Sequence, residues 1–149
     1  MKLIIGLGNP GEKYKNNRHN VGHMFVDYAR RGVKTNVFMN DSGKFVKRAV
    51  SRQQIADSDL YIVHDDLDLP WGKYKIQFGV GPKVHYGIQS IENELRTGDF
   101  WRIRIGVDNR DSLNRIPGDK YVLEDFTKEE REILKGVFDA VLKDNSFPR

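Results

Sequence analysis

Along this chain the spacing of apolar residues switches between the pattern of a short buried strand and that of a helix, and this alternation is the strongest constraint on its fold. Leu3-Ile4-Ile5 reads as a buried strand. Val21, Met24, Phe25 and Tyr28 then recur at i, i+3, i+4 and i+7 of a helix. Val37-Phe38-Met39 predicts a second strand, and Asp41 or Ser42 would cap a second helix with Phe45, Val46, Ala49 and Val50 on one face. Leu60-Tyr61-Ile62-Val63 is a third buried strand. Such a β-α-β-α-β order is the signature of a parallel sheet.

Beyond Pro70 the pattern changes. Lys73-Tyr74-Lys75-Ile76-Gln77-Phe78 alternates polar and apolar, as a strand with one wet face does. A Gly/Pro loop, Gly79-Val80-Gly81-Pro82, leads to a helix marked by Ile88, Ile91 and Leu95. Trp101 to Ile105 is another alternating strand, and Asp108 to Lys120 reads as a long polar loop. Thr127 and Glu130 form a capping box that opens a last helix, with Ile133, Leu134, Val137, Phe138, Val141 and Leu142 as its buried stripe. The expected fold class is α/β: a single three-layer domain over residues 1–149, with a mixed, mainly parallel central sheet flanked by helices.

Gly6 to Gly11, GLGNPG, follows the first strand with the G-x-G-x-x-G spacing of a dinucleotide site. That site also needs a helix starting at the third glycine and an acid at the end of the second strand. Here Glu12 to Arg18 has no helical apolar period, and Asp27, at nearly the right distance, falls inside a helix pattern. Dinucleotide binding is therefore disfavoured, and no nucleotide cofactor is expected.

Charge says more about partners. Residues 1–53 hold 11 Lys/Arg against 3 Asp/Glu, whereas the remainder holds 14 against 18. A basic field confined to one third of the chain suits a phosphate-rich partner, or is simply a soluble basic surface. The absence of cysteine removes disulfides, thiolate metal sites and thiol catalysis, and suits a reducing compartment. With no 18-residue apolar run, a cytoplasmic protein without membrane attachment is expected, and no unexplained apolar stripe argues against a monomer.

In a parallel sheet, ligands bind beyond the carboxyl ends of the strands. The three expected ends run into Asn9-Pro10, Met39-Asn40 and His64-Asp65-Asp66, with Arg18-His19-Asn20 arriving at the start of the first helix. Such a set suits ester hydrolysis by water: a histidine takes the proton, a carboxylate fixes its tautomer, and amides hold the developing oxyanion. There is no G-x-S-x-G elbow to supply a nucleophile. Each residue also has a plainer reading, as turn or cap chemistry for Asn9 and Asn40 and as a solvated turn or divalent-metal cluster for Asp65, Asp66 and Asp68.

The segments KLIIGLGNPGEKYKNNRHNVG, FMNDSGK, VHDDLDLPWGK, HYGIQSI and FWRIRIGV, in this order over residues 2 to about 107, resemble the signature segments of bacterial-type peptidyl-tRNA hydrolase. The resemblance implies hydrolysis of the ester joining a peptide to the 3′-terminal ribose of tRNA, with peptidyl-tRNA as the partner and neither cofactor nor metal. It makes His19 the general base and Asp65 its orienting partner. Asn9 and Asn40 become amides that hold the peptide and ester carbonyl, with Met39 beside them. Tyr14 lines the place of the tRNA 3′ end, and Lys75 and Arg104 lie at basic contacts to tRNA phosphates.

Two departures stand out. Where the family has a glycine-rich lid ending in Gly-Gly-His-Asn-Gly, this chain reads Gly81-Pro82-Lys83-Val84-His85-Tyr86-Gly87. His85 and Tyr86 thus take the lid positions that face the substrate, and a phenol replaces an amide. The connection from Tyr28 to Phe38 is also short, where the family has a longer helix and two further strands. A non-catalytic RNA-binding relative of the same fold is the alternative to the enzyme.

Overall fold

The computed structural model describes residues 1–149. Its strands are β1 (Leu3–Gly6), β2 (Val33–Lys34), β3 (Leu60–Pro70), β4 (Tyr74–Phe78) and β5 (Trp101–Asp108). Its helices are α1 (Val21–Ala29), α2 (Ser42–Gln53), α3 (Tyr86–Leu95), α4 (Gly118–Tyr121) and α5 (Lys128–Lys143). The strands form one sheet in the order β2-β1-β3-β5-β4, parallel throughout except for the antiparallel β4–β5 pair. The α/β three-layer expectation is thereby borne out.

Strand alternation divides the core between the two faces of the sheet. Ile4, Val63, Ile103 and Ile105 meet α1 and α5 through Phe25, Leu134, Phe138 and Val141. Leu3, Ile5, Leu60 and Ile62 meet α2 and α3 through Val46, Ile88 and Ile91. Each such fully buried side chain contributes about 1.5–3 kcal/mol of burial. The capping box of α5 is present, with Thr127 Oγ1 accepting from the Glu130 amide and the Glu130 carboxylate accepting from that of Thr127.

Four expectations need correction. Val37-Phe38-Met39 is not a strand: β2 has already ended at Lys34, and the Met39 amide is taken by the Asn9 side chain instead of a strand carbonyl (2.8 Å). The third strand does not stop at Val63 but runs to Pro70, because β5 supplies a partner as far as Asp108. The polar loop after Asp108 contains α4, whose Tyr121 is buried with its hydroxyl donating to the Val107 carbonyl (2.7 Å). Ile133 lies on the solvent side of α5, outside the buried stripe of Leu134, Val137, Phe138 and Val141.

The extension of β3 creates the crevice. β1 pairs with β3 only as far as Gly6 opposite Val63, so His64, Asp65 and Asp66 continue beside a neighbour that has left the sheet. Gly22 lets α1 lie flush on this edge: a Cβ there would meet the Val63 carbonyl oxygen at 2.3 Å. The turn before α1 is thereby brought down onto β3.

Candidate active site

At that crevice the His19 ring, in a 3-10 turn over Arg18–Asn20, meets Asp65 of β3, with Nδ1 to Oδ2 at 2.8 Å. The other oxygen of Asp65 is held at 2.8 Å by Nε2 of His85, the residue that caps α3. The tautomers follow from the bonding. His85 Nδ1 accepts the Ile88 amide (3.2 Å), so its proton sits on Nε2 and is donated to Asp65. A carboxylate holding both oxygens out as acceptors takes the Nδ1 proton of His19 as well. His19 lines a cavity, and the nitrogen left for that cavity is Nε2, with its lone pair.

The electrostatics agree. Burial opposes charge on Asp65, but the two histidines and their hydrogen bonds outweigh it and hold the carboxyl far below the usual carboxylate range. Burial likewise lowers the pKa of His19, yet the charge and hydrogen bond of Asp65 overcome this and leave it above the ordinary histidine value. His64, enclosed in the core next to His85, is pushed down to about 3 by burial and stays neutral, its Nδ1 donating to the Asp65 carbonyl.

The glycine turn delivers Asn9 to the same cavity. The Asn20 side chain bonds both backbone groups of Asn9, accepting from its amide (2.8 Å) and donating to its carbonyl (2.9 Å). Asn9 Oδ1 takes the Met39 amide, which orients the side chain and leaves Nδ2 as a free donor at the cavity wall. Gly11, at φ +106°, is followed by a 3-10 turn and not by a helix, so this glycine loop presents no helix N-terminus to a phosphate. The ring of His23 packs against Gly8, and its Nε2 bonds Thr35 Oγ1, which in turn donates to the Gly8 carbonyl.

The cavity measures about 520 Å³, and Asn9, His19, Met39, Asn40, Asp65, His85 and Tyr86 all line it. Leu67, Val84, Val122 and Leu123 add an apolar side. The side chain of Asn40 is exposed and unbonded, while its carbonyl accepts from Ser90 (2.9 Å). Tyr14 stands one ring back, edge-on to Phe38 with centroids 6.1 Å apart, and Phe38 is the ring that reaches the cavity.

Two expected roles meet obstacles. Arg104 is nearly enclosed, with Nε on Asp66 (2.7 Å) and Nη1 on Gln77 (2.6 Å), so only Nη2 is left to meet a phosphate. Lys75, beside it on β4, is exposed. The acidic turn does not converge on a cation: Asp65 serves the histidines, Asp66 serves Arg104, and Asp68 accepts the Lys83 amide. His19, Asp65 and His85 bring one donor atom each within 4.8 Å of one another, a spacing that a cation could bridge, but their protons already satisfy the trio.

Residues without a sequence signal hold the site in place. The His19 amide donates to Val122 (2.8 Å) and that of Arg18 to Glu124 (3.1 Å), while Phe126 returns a bond to Asn16 (2.9 Å). Arg18 is buried, paired with Glu130 (3.0 Å), and its guanidinium lies 4.0 Å from the centre of the Tyr121 ring. The segment after α4 therefore fixes the backbone that carries His19.

No helix of the protein is long and apolar enough to cross a membrane. The sequence matches the peptidyl-tRNA hydrolase family over residues 3–37 and 31–146, two stretches that overlap at the short connection around β2. The peptidyl-tRNA hydrolase of Pseudothermotoga lettingae is 38% identical over 96% of this chain and 87% of its own length. That of a Sulfurihydrogenibium species is 36% identical over 92% and 85%. The crystal structure of peptidyl-tRNA hydrolase from Acinetobacter baumannii superimposes with a TM-score of 0.81 at 29% identity, covering 95% of this chain and 85% of that one. By sequence and by fold, the chain belongs to the bacterial-type peptidyl-tRNA hydrolase family.

Proposed function

We propose that the protein hydrolyses the ester between a peptide and the 3′-terminal ribose of tRNA, acting as a monomer without a nucleotide cofactor. The observation that carries this reading is the His85–Asp65–His19 chain of hydrogen bonds, which ends on an unprotonated Nε2 beside the free amide donor of Asn9. His19 Nε2 takes a proton from water as the water oxygen attacks the ester carbonyl. Asp65, ionised because two imidazoles hold it so, stabilises the imidazolium that forms. Asn9 Nδ2, with the Asn40 amide across the cavity, donates to the carbonyl oxygen as it becomes an oxyanion. The imidazolium then returns its proton to the departing ribose oxygen, releasing the peptide acid and free tRNA. Met39 floors the cavity beside these amides. Tyr14 backs the Phe38 ring toward the tRNA 3′ end, and the exposed Lys75 meets phosphate. Tyr86 faces the substrate from the lid.

The test is release of N-acetyl amino acid from charged tRNA by the wild type beside His19→Ala. The variant is expected to lose about 10²–10⁴-fold in kcat while keeping its KM for tRNA. Equal loss in both constants would make His19 structural. No hydrolysis by the wild type, with tRNA still bound, would make the protein a non-catalytic RNA-binding relative.

A further inference from the structure

One surface lies outside this chemistry. Helix α2 carries Lys44, Lys47, Arg48 and Arg52 and no acidic residue. Its core side holds Ser42, Gly43 and Val46, so the four cations fall on the outward side, an arc of about 140° at 3.6 residues per turn. All four are exposed, and none has a carboxylate or a hydrogen-bond partner. Four other surface lysines are paired, Lys2 with Asp59, Lys15 with Glu12, Lys34 with Asp27 and Lys135 with Glu132; what sets α2 apart is that four unpaired cations share one helix face.

This charge is continuous with the candidate active site. A second groove, of about 370 Å³, is lined by Asn40, Tyr86, Gln89, Ser90, Asn93 and Glu94. It shares Asn40 and Tyr86 with the cavity that holds His19. The Gly43 amide donates to Ser90 Oγ (2.9 Å), so the first turn of α2 forms the far bank of this groove. A chain leaving the ester site over Tyr86 passes three neutral amides and one carboxylate, Glu94, before reaching Lys44. From Lys44 to Arg52 the helix rises about 12 Å, enough to follow several phosphates of one strand.

Resting on the hydrolase reading, we propose that the outward face of α2 is a second RNA contact, holding the phosphate backbone of the tRNA acceptor stem as it leaves the ester site through the Asn40–Tyr86 groove. An anionic polymer fits better than a folded acidic protein, because the stripe is narrow, lacks an apolar centre, and begins where the polymer's reactive end would lie.

The experiment compares wild type with Lys44→Gln/Lys47→Gln/Arg48→Gln on two substrates. One is N-acetyl-aminoacyl-tRNA, and the other is the same N-acetyl-aminoacyl ester on the trinucleotide CCA, which has no stem. On tRNA the variant's KM should rise on the order of tenfold at low salt, and the slope of log KM against log salt should fall by about three, near one per cation removed. Its kcat on tRNA and both constants on the trinucleotide should stay at wild-type values, which also shows that the variant is folded. Lys135→Gln on α5 should leave the slope alone. An unchanged slope in a wild type that cleaves both esters would overturn the α2 contact and leave the hydrolase standing. Cleavage of neither ester by the wild type would remove the hydrolase reading itself. An unchanged slope together with loss of binding to phosphatidylserine vesicles would assign the face to a membrane surface and overturn the proposal.

Discussion

On one wall of the cavity, His19, Asp65, His85 and Asn9 are almost enclosed, and every one is held by at least one hydrogen bond from a different element of the fold. Elsewhere in the lining, Phe38 is 56% exposed, Tyr86 is 61% exposed and Val84 is 73% exposed, and none makes a side-chain hydrogen bond. The difference separates two tasks. Groups that handle protons and a developing charge act best when they are fixed before substrate arrives, because no reorganisation is then needed during the reaction. Groups that meet a peptide of variable sequence act best when they can shift, and exposed apolar side chains do so at little energetic cost.

Removing the charge from the fixed wall should have the largest effect. Asp65→Asn is expected to lower kcat by about 10²–10⁴-fold, since the amide neither stabilises the imidazolium nor enforces the His19 tautomer. The pH profile gives an independent reading. Asp65 holds the His19 pKa above its ordinary value against the pull of burial, and the base must be unprotonated to act. In the variant burial alone remains, so the rising limb of kcat/KM should move to lower pH. A limb that does not move would mean that another group titrates.

The next largest effect concerns how the wall is anchored. Arg18→Met leaves Glu130 charged and buried without its partner, and losing one member of such a pair costs about 3–5 kcal/mol. The urea midpoint should fall accordingly. Adding Glu130→Gln should recover part of the loss, because the amide oxygen can still accept from Thr127 while the stranded charge is gone. If the double variant is no more stable than Arg18→Met, packing of Arg18 on Tyr121 is what matters and the ion pair is incidental.

The same contrast explains what the sequence revealed. Long periodic elements such as α1 and α5 were legible because burial of one face imposes a period that local residues must obey. His19 and Asp65 could be placed together because strand ends in a parallel sheet converge. What holds them could not be read. The bracketing of Asn9 by Asn20 and the docking of residues 16–19 against 122–126 depend on loop geometry without a period. Val37-Phe38-Met39 has the composition of a strand, but the Met39 amide goes to the Asn9 side chain and a 3-10 turn begins there. Arg104 is a basic residue on an alternating strand, and that pattern gives no sign that Asp66 and Gln77 hold two of its three nitrogens.

The open wall should respond weakly, and Tyr86 shows how weakly. Its hydroxyl has no partner in the protein, so Tyr86→Phe removes only what that group offers the substrate. One hydrogen bond contributes about 1 kcal/mol net, so kcat/KM should fall roughly fivefold. A fall carried by KM would place the hydroxyl on bound substrate, whereas a fall carried by kcat would place it on the oxyanion. Undiminished activity would mean that the ring alone serves the lid. Tyr86→Asn then sharpens the result, since it shortens the side chain and supplies both a donor and an acceptor. If the amide raises kcat above wild type, this wall takes part in the chemistry as well as in recognition, and the separation between the two walls is less complete than their burial suggests.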